Sequence, residues 1–340
     1  MLSQAIERLI ENAVINREEL LEKLHAENTD MYRLFHGTNE GCEGLTVDRY
    51  GEQLLIQSFH QSLDSQDLDV IEKAIRSRIH FDGYTIYNDR SPQAKKKQHQ
   101  AMENEKAENV SEDESCCENG IKYAMNRPMG KDPLLFLDMR GGRRFIRENC
   151  SEKTVLNLFA YTCAFGICAA AGGAKDVWNV DFAESGLNFG RKSLILNALD
   201  KDKMKFIHED YFPVIWQLAG LPVKGRVRMR KRHFMKLSPQ TFDRVILDPP
   251  RWAKSAFGAV DLLRDYQSIF KPALLVLNPG GKMMCTNHHP KVDLHDWLES
   301  LKRCAVKAGK PIKSLEVIEP ETDFPSPDGK HPLKIALIEV

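Results

Sequence analysis

The chain has 340 residues, 42% of them apolar, with 48 Lys and Arg set against 48 Asp and Glu. That length suits about two domains with buried cores, and a formal net charge of zero excludes a globally basic nucleic-acid binder, so any basic surface is local. Eight scattered cysteines without C-x-x-C pairs read as a reduced, cytoplasmic protein with no zinc framework; no apolar run approaches the ~20 residues that span a bilayer, and MLSQAIERLIENA reads as an amphipathic helix rather than a leader.

Ile6, Leu9, Ile10, Val14, Leu20, Leu21 and Leu24 recur at near-helical spacing and predict one or two helices over 4–27. Glycines punctuate the next stretch. There Leu45–Val47 and Leu54–Gln57 read as hairpin strands around Asp48–Gly51. A helix over 68–79 and a strand over 84–87 follow. Gln93 to Asn119 has almost no apolar side chains and reads as a disordered excursion inside a domain. Order returns at Ile121. From Thr154 onward, strands over 155–158, 177–180, 204–207, 244–247, 282–286, 313–318 and 333–340 alternate with helices over 164–173, 184–198, 211–219, 260–277 and 293–308. That alternation predicts an α/β fold, a doubly wound parallel sheet with helices on both faces and an antiparallel edge made by the last segments. The expected organisation is a helical segment at 1–30, a smaller α+β domain at 31–150 with the insertion at about 93–119, and the α/β domain at 151–340.

The richest stretch is VLNLFAYTCAFGICAAAGGAKDVWNVD, from Val155 to Asp181. A short apolar strand meets a turn of small and polar residues, then an Ala-rich helix, then a strand ending in an acid: the first βαβ unit of a ligand-binding sheet. The phosphate-binding pattern G-x-G-x-x-G is missing, which argues against a dinucleotide. S-adenosylmethionine has a ribose and an adenine but no phosphate, and it fits. Asp181 is placed to accept the ribose hydroxyl protons. Phe159, Ala160, Tyr161 and Thr162 would line the methionine end, near the free N–H groups of the helix start. Asp210 follows the third strand and would accept the adenine amine, or else cap the helix that starts near Tyr211. Asn157, Phe182 and Tyr211 complete this candidate cofactor set.

Asp248-Pro249-Pro250-Arg251-Trp252 ends another apolar strand. Two prolines fix a rigid loop, Asp248 can accept hydrogen bonds from a base or touch the cofactor, and Trp252 offers a flat face for stacking. A structural turn around a core Trp is the plainer alternative. Asn287 is a polar neighbour at the end of a later strand. Arg140, Arg143 and Arg144 surround two glycines and suggest an anion, either the cofactor carboxylate or an RNA phosphate. The run Lys224–Lys236 is densely basic. Its Arg228, Arg230, Lys231 and Arg232 could grip an RNA backbone, and a solvated loop is the equal alternative. His288-His289 lack a third ligand at a useful spacing, so no metal is expected.

The segments LFLDMRGGRR, VLNLFAYT and FDRVILDPPRW, in this order, resemble the bacterial large-subunit 23S rRNA methyltransferases of the I and K/L type. HGTNEGCEGLTVDRYG is similar to that family's central RNA-binding domain. The resemblance spans roughly residues 33 to 340, and the PUA-type domain of the I branch is replaced by the helices at 1–27. It implies a class I methyltransferase domain with a Rossmann-like sheet, S-adenosylmethionine as cofactor, and rRNA or a ribosomal subunit precursor as partner. Two departures stand out. The usual glycine of the first motif is Cys163 here. Where the cytosine-C5 branch carries a catalytic cysteine, counting from Gly280-Gly281, this chain has His288. CTNHH looks more like the S-N-N pattern of the guanine-N7 branch, which also shares Asn157.

Chemistry separates those branches. Methylating carbon 5 of cytosine needs a thiolate to attack carbon 6, whereas guanine N7 has a free lone pair and needs only alignment. The expected function is therefore methylation of a large-subunit rRNA base, guanine N7 favoured, with the base splayed out of its stack. The alternatives are cytosine-C5 transfer through Cys285, a small-molecule or protein methyltransferase, and a non-catalytic RNA-binding relic. The oligomeric state is open.

Overall fold

In the computed structural model, residues 2–80, 82–92, 94, 114–125, 134–223 and 234–340 are described. They form two compact units. One is Met1–Asp138 with Glu321–Lys330, and the other is Met139–Pro320 with His331–Val340.

In the first unit, helices α1 (Leu2–Ile15) and α2 (Glu18–Ala26) precede strands β1 (Met31–His36), β2 (Leu45–Tyr50) and β3 (Gln53–Ser58). Helix α3 (Ser65–Arg76) then crosses to β4 (Tyr84–Asp89). The sheet runs β1-β2-β3-β4, antiparallel except where β4 joins β3 in parallel. Ile6, Ile10 and Leu24 from the first two helices meet Leu34, Val47, Ile56 and Ile71 in one core. Their helical spacing is what brings them to one face.

A second ladder pairs β5 (Glu114–Glu118) with β6 (Ile121–Met125). Residues 114–118 therefore leave the polar excursion that the sequence predicts over 93–119. Cys116 is buried there, and the Cys117 N–H donates to Asp30 at 2.7 Å. Residues 95–113 lie outside the described residues.

The late segment 321–330 is stitched into this unit. Arg33 forks onto Asp48 at 2.7 and 2.8 Å, its guanidinium lies 4.6 Å from the Phe324 ring, and its backbone N–H donates to Asp323 at 3.1 Å. Arg17 donates to the Asp323 carbonyl at 3.1 Å.

The second unit opens with α4 (Arg140–Asn149), then β7 (Thr154–Leu158), α5 (Ala164–Ala171), β8 (Asp176–Asp181), α6 (Glu184–Leu196), β9 (Met204–His208) and α7 (Tyr211–Leu218). Next come β10 (Phe242–Leu247), a hairpin of β11 (Trp252–Lys254) and β12 (Ala259–Asp261), α8 (Gln267–Leu275), β13 (Leu277–Asn287), α9 (Leu294–Lys307), β14 (Ser314–Ile318) and β15 (Lys334–Glu339). The sequence reading draws the boundary at 151, whereas the contacts of α4 draw it at Met139. A side chain at Gly142 would stand 3.1 Å from the Met284 sulfur, so the glycine pair lets this helix lie flat on the sheet.

The sheet order is β14-β15-β13-β10-β7-β8-β9. The five strands from β13 to β9 are parallel, and β15 runs antiparallel to both β13 and β14. This is a class I methyltransferase arrangement, Rossmann-like with an antiparallel edge. Residues of α7, α8 and α9 share a core with one face of the sheet, including Val214, Phe270, Leu301, Leu158 and Val245. The helix predicted over 260–277 starts only at Gln267. Asp261 accepts the N–H groups of Leu263 at 3.1 Å and Arg264 at 3.0 Å, a local bond that competes with helix.

Candidate active site

The strand order reverses between β7 and β10, and ligand sites form where such a reversal opens the carboxyl edge of the sheet. Leu158 pairs with Leu247 across that point. Phe159 and Asp248, the next residues, therefore leave neighbouring strand ends. Asp181 ends β8 beside His208 of β9, and Asp210 follows two residues later. The fold thus brings the Phe159–Thr162 turn, Asp181, Asp210 and Asp248 to one edge.

The turn holds three non-glycine residues in left-handed backbone: Phe159 at φ 57°, Tyr161 at φ 48° and Cys163 at φ 62°. Such conformations cost on the order of 1 kcal/mol each and persist where surroundings over-determine them. Here the Ala160 N–H donates to the Val180 carbonyl at 3.0 Å and the Cys163 N–H to the Ala160 carbonyl at 2.7 Å. Asp181 supplies the main brace. One carboxylate oxygen accepts the Tyr161 N–H at 2.8 Å and the other the Ala183 N–H at 2.8 Å. Each oxygen keeps a second lone pair, which suits two ribose hydroxyls. Burial raises the Asp181 carboxyl above its ordinary value, against the pull of those amides and of His208.

Asn157 sits behind the turn rather than at the ligand edge. It is buried and donates to Asn179 at 2.9 Å, which in turn donates to the Lys205 carbonyl at 3.3 Å. Gly166 has no room for a side chain, because a Cβ would fall 2.0 Å from the Asn179 oxygen. Asn157 thus belongs to a polar brace across β7, β8 and β9. Cys163 occupies the position where a glycine is usual, its thiol buried and pushed up by desolvation and by Asp181.

Asp210 does two things at once. It caps α7 by accepting the Phe212 N–H at 2.8 Å, and it stands close to the Ser255 side chain, while burial raises its carboxyl. Ser255 lies at the tip of the β11–β12 hairpin, which the sequence reading does not anticipate. Phe182 is 67% exposed and offers a face beside Asp181. Tyr211 is not at the ligand edge. It is buried, its hydroxyl donates to the Ile269 carbonyl at 2.5 Å, and its ring stacks on Phe159 at 4.6 Å, backing the turn.

Asp248 accepts the Thr286 hydroxyl at 2.5 Å. Pro249 is buried and Pro250 half-buried. Trp252 is 64% exposed, so it is no core residue, and its flat face is available. Asn287 is a correction. It is fully buried, donates to the Leu262 carbonyl at 3.1 Å and accepts the His289 N–H at 3.0 Å. Its role is to tie the loop after β12 to the end of β13, and it has no exposed face for a base. Cys285 is buried in β13 beside Tyr266, and desolvation pushes its thiol far above the usual range. His288 is pushed down to about 4 by burial and by the cations Arg251, His289 and Lys334. No group of three or more His, Cys, Asp or Glu able to hold a metal occurs among the described residues.

The arginines of α4 lie deep: Arg140 and Arg143 are each only 2% exposed, which leaves Arg143 no open face for an RNA phosphate, while Arg144 is half-buried. The basic positions Arg228, Arg230, Lys231 and Arg232 lie outside the described residues.

The paired acids at the ends of β8 and after β9, the exposed Phe182 between them and the strained turn fit an adenosyl ligand. Comparisons with known proteins agree. The model of a family of S-adenosylmethionine-dependent methyltransferases matches residues 32–339. The chain is 30% identical over 297 residues to ribosomal RNA large subunit methyltransferase I of Aeromonas salmonicida, covering 86% of this chain and 70% of that protein. It is 27% identical over 327 residues to the enzyme of the same name from Klebsiella pneumoniae, covering 95% and 76%. Among solved structures it resembles SMU.776, described as a methyltransferase complexed with SAH (TM-score 0.78, 23% identity, 99% of this chain and 82% of that one). It also resembles a protein described as a SAM-dependent methyltransferase from Streptococcus mutans (TM-score 0.75, 23% identity, 99% and 81%). These two structures bear on the fold alone.

Proposed function

Because the chain belongs to the family of S-adenosylmethionine-dependent methyltransferases, we propose that it methylates a base of large-subunit ribosomal RNA, with guanine N7 as the acceptor. S-adenosylmethionine, when bound, supplies an electrophilic methyl group on a sulfonium. The protein's own part is to hold and align. Asp181 accepts the ribose hydroxyls and Asp210 the adenine amine, with Phe182 against the adenine face. The Phe159–Thr162 turn presents its backbone to the methionine end, and Arg144 supplies positive charge from α4. Asp248, fixed by Thr286 and by the two prolines, accepts hydrogen bonds from the target base, and Trp252 stacks on it.

The observation that carries the choice of acceptor is the state of Cys285. Carbon-5 transfer needs a thiolate, and this thiol is buried, far from ionising and inside a strand. A nitrogen lone pair needs alignment alone. The RNA substrate is supported by the names of the relatives and by the exposed Trp252. It implies work in the cytoplasm, and no helix among the described residues is long and apolar enough to cross a membrane.

The test is methyl transfer from labelled S-adenosylmethionine to rRNA from cells lacking this protein, followed by nucleoside analysis. Label in 7-methylguanosine is the expected result. Label in 5-methylcytidine would overturn the acceptor assignment, and the absence of label in RNA would overturn the substrate.

A further inference from the structure

The β11–β12 hairpin and the segment Phe234–Leu237 form one edge that the cofactor and target-base residues leave unexplained. Their rings meet: Phe234 and Phe257 lie 6.0 Å apart at 87°, and the Lys236 ammonium stands 4.0 Å from the Phe234 ring centroid. The segment is pinned from below. Met235 donates to Glu209 at 2.9 Å and accepts from Gln217 at 2.9 Å, and Leu237 donates to Gln217 at 3.2 Å. The hairpin is pinned too. Phe257 packs on the core, and a side chain at Gly258 would fall 2.6 Å from the Phe212 ring. The backbone here is fixed, while Trp252, Lys254, Lys236 and Arg251 are exposed.

This edge interleaves aromatic faces with cations. Among the described residues, neither Arg251, Lys254 nor Lys236 has an ion-pair partner. Asp261 and Glu209, at its two ends, turn their carboxylates to backbone amides. Stacking faces alternating with phosphate-reaching cations are the hardware of single-strand recognition, because every base has a π-face and the backbone is uniformly charged. A duplex presents no unstacked bases to such rings.

We propose that this edge is a platform for single-stranded RNA, holding the nucleotides that flank the target base; the proposal rests on the RNA substrate inferred above. Phe234 and Phe257 stack on flanking bases, and Lys236, Lys254 and Arg251 take their phosphates. The platform lies beside Trp252 and next to Asp210 through Ser255, so a base entering at Trp252 has its neighbours held on the same hairpin.

The test uses the full chain with S-adenosylhomocysteine, a fluorescent single-stranded RNA of about ten nucleotides and the matching duplex. The wild type is expected to bind the single strand more tightly. The pair Lys236→Gln and Lys254→Gln is expected to lower the salt slope of that binding by about 1.4, at ~0.7 per phosphate contact. Phe234→Ala is expected to weaken binding on the order of tenfold at every salt. Calorimetry with S-adenosylhomocysteine shows whether each variant is folded. Preference for the duplex, or variants that bind like the wild type, would overturn the platform. Methyl transfer to rRNA is scored separately. Labelled rRNA with insensitive variants rejects the platform and keeps the function. Unlabelled rRNA with sensitive variants does the reverse.

Discussion

The carboxylate of Asp181 and the backbone N–H of Tyr161 stand 2.8 Å apart, so one side chain both braces the left-handed turn and faces the ribose position. Burial raises its carboxyl above the ordinary carboxylate value. A carboxyl with a raised folded-state value adds stability that is full below the unfolded value and lost as pH rises through the folded one. Cofactor affinity runs the other way, because the ribose hydroxyls need the ionised form. Affinity for S-adenosylhomocysteine should therefore begin to fall at a higher pH than for an ordinary carboxylate. A calorimetric series from about pH 7 to pH 4 should show this, and Asp181→Asn should flatten the profile while lowering affinity throughout. An unchanged profile in that variant would remove Asp181 from the ribose.

Cys163 and Gly190 are a size-matched pair. A Cβ at Gly190 would lie 2.6 Å from the Cys163 sulfur and 2.9 Å from the Phe206 ring. Gly190→Ala alone should destabilise by about 1–3 kcal/mol through overpacking. In a Cys163→Gly background the sulfur is gone and φ 62° suits glycine, so the same change should cost less. A double-mutant cycle by denaturant unfolding should give a coupling of about 0.5–2 kcal/mol. Additive effects would mean that the two positions do not share this space.

Cys285→Ala should leave methyl transfer within a few fold of wild type, with a stability loss of roughly 1 kcal/mol for the small hole. If the variant were folded yet inactive by several orders of magnitude, the thiol would be a nucleophile and the acceptor a carbon.

His288, held near 4, should make the fold acid-sensitive. A histidine with a lowered folded-state value stabilises fully above its unfolded value of 6.5 and loses that contribution as pH falls toward the folded value. Melting temperature should drop between about pH 6.5 and pH 4, and His288→Gln should blunt that part of the drop. A parallel decline in the variant would assign the acid sensitivity to other groups.

The alternation from Thr154 and the acids at strand ends are legible in the sequence because each follows from a period or an end signal. The hairpin at 252–261 is not. Leu262, Tyr266, Ile269, Phe270 and Ala273 keep helical spacing, and only the Asp261 turn shows that helix starts later. The arginines around Gly141-Gly142 suggest an anion site by sequence, yet the glycine pair is itself the trace of close packing, since a side chain at Gly141 would fall 2.8 Å from Ile318. Asn287 could not be excluded from the site by sequence, because only coordinates reveal that both ends of its amide are already engaged. Glu209 and Ser255 carry no motif at all, and their roles come from what the fold sets beside them.

The first unit includes residues 321–330, with Asp323 fully buried in it under Arg17 and Arg33. A chain made from its amino end at ~5–20 residues per second therefore presents the ribosome exit with nearly everything else before that piece arrives. The portion of the protein that begins to emerge earliest is among the last to be finished. Cutting the gene after residue 138 would not yield a self-sufficient module, since the missing strip would have to be returned through a linker or a circular permutation.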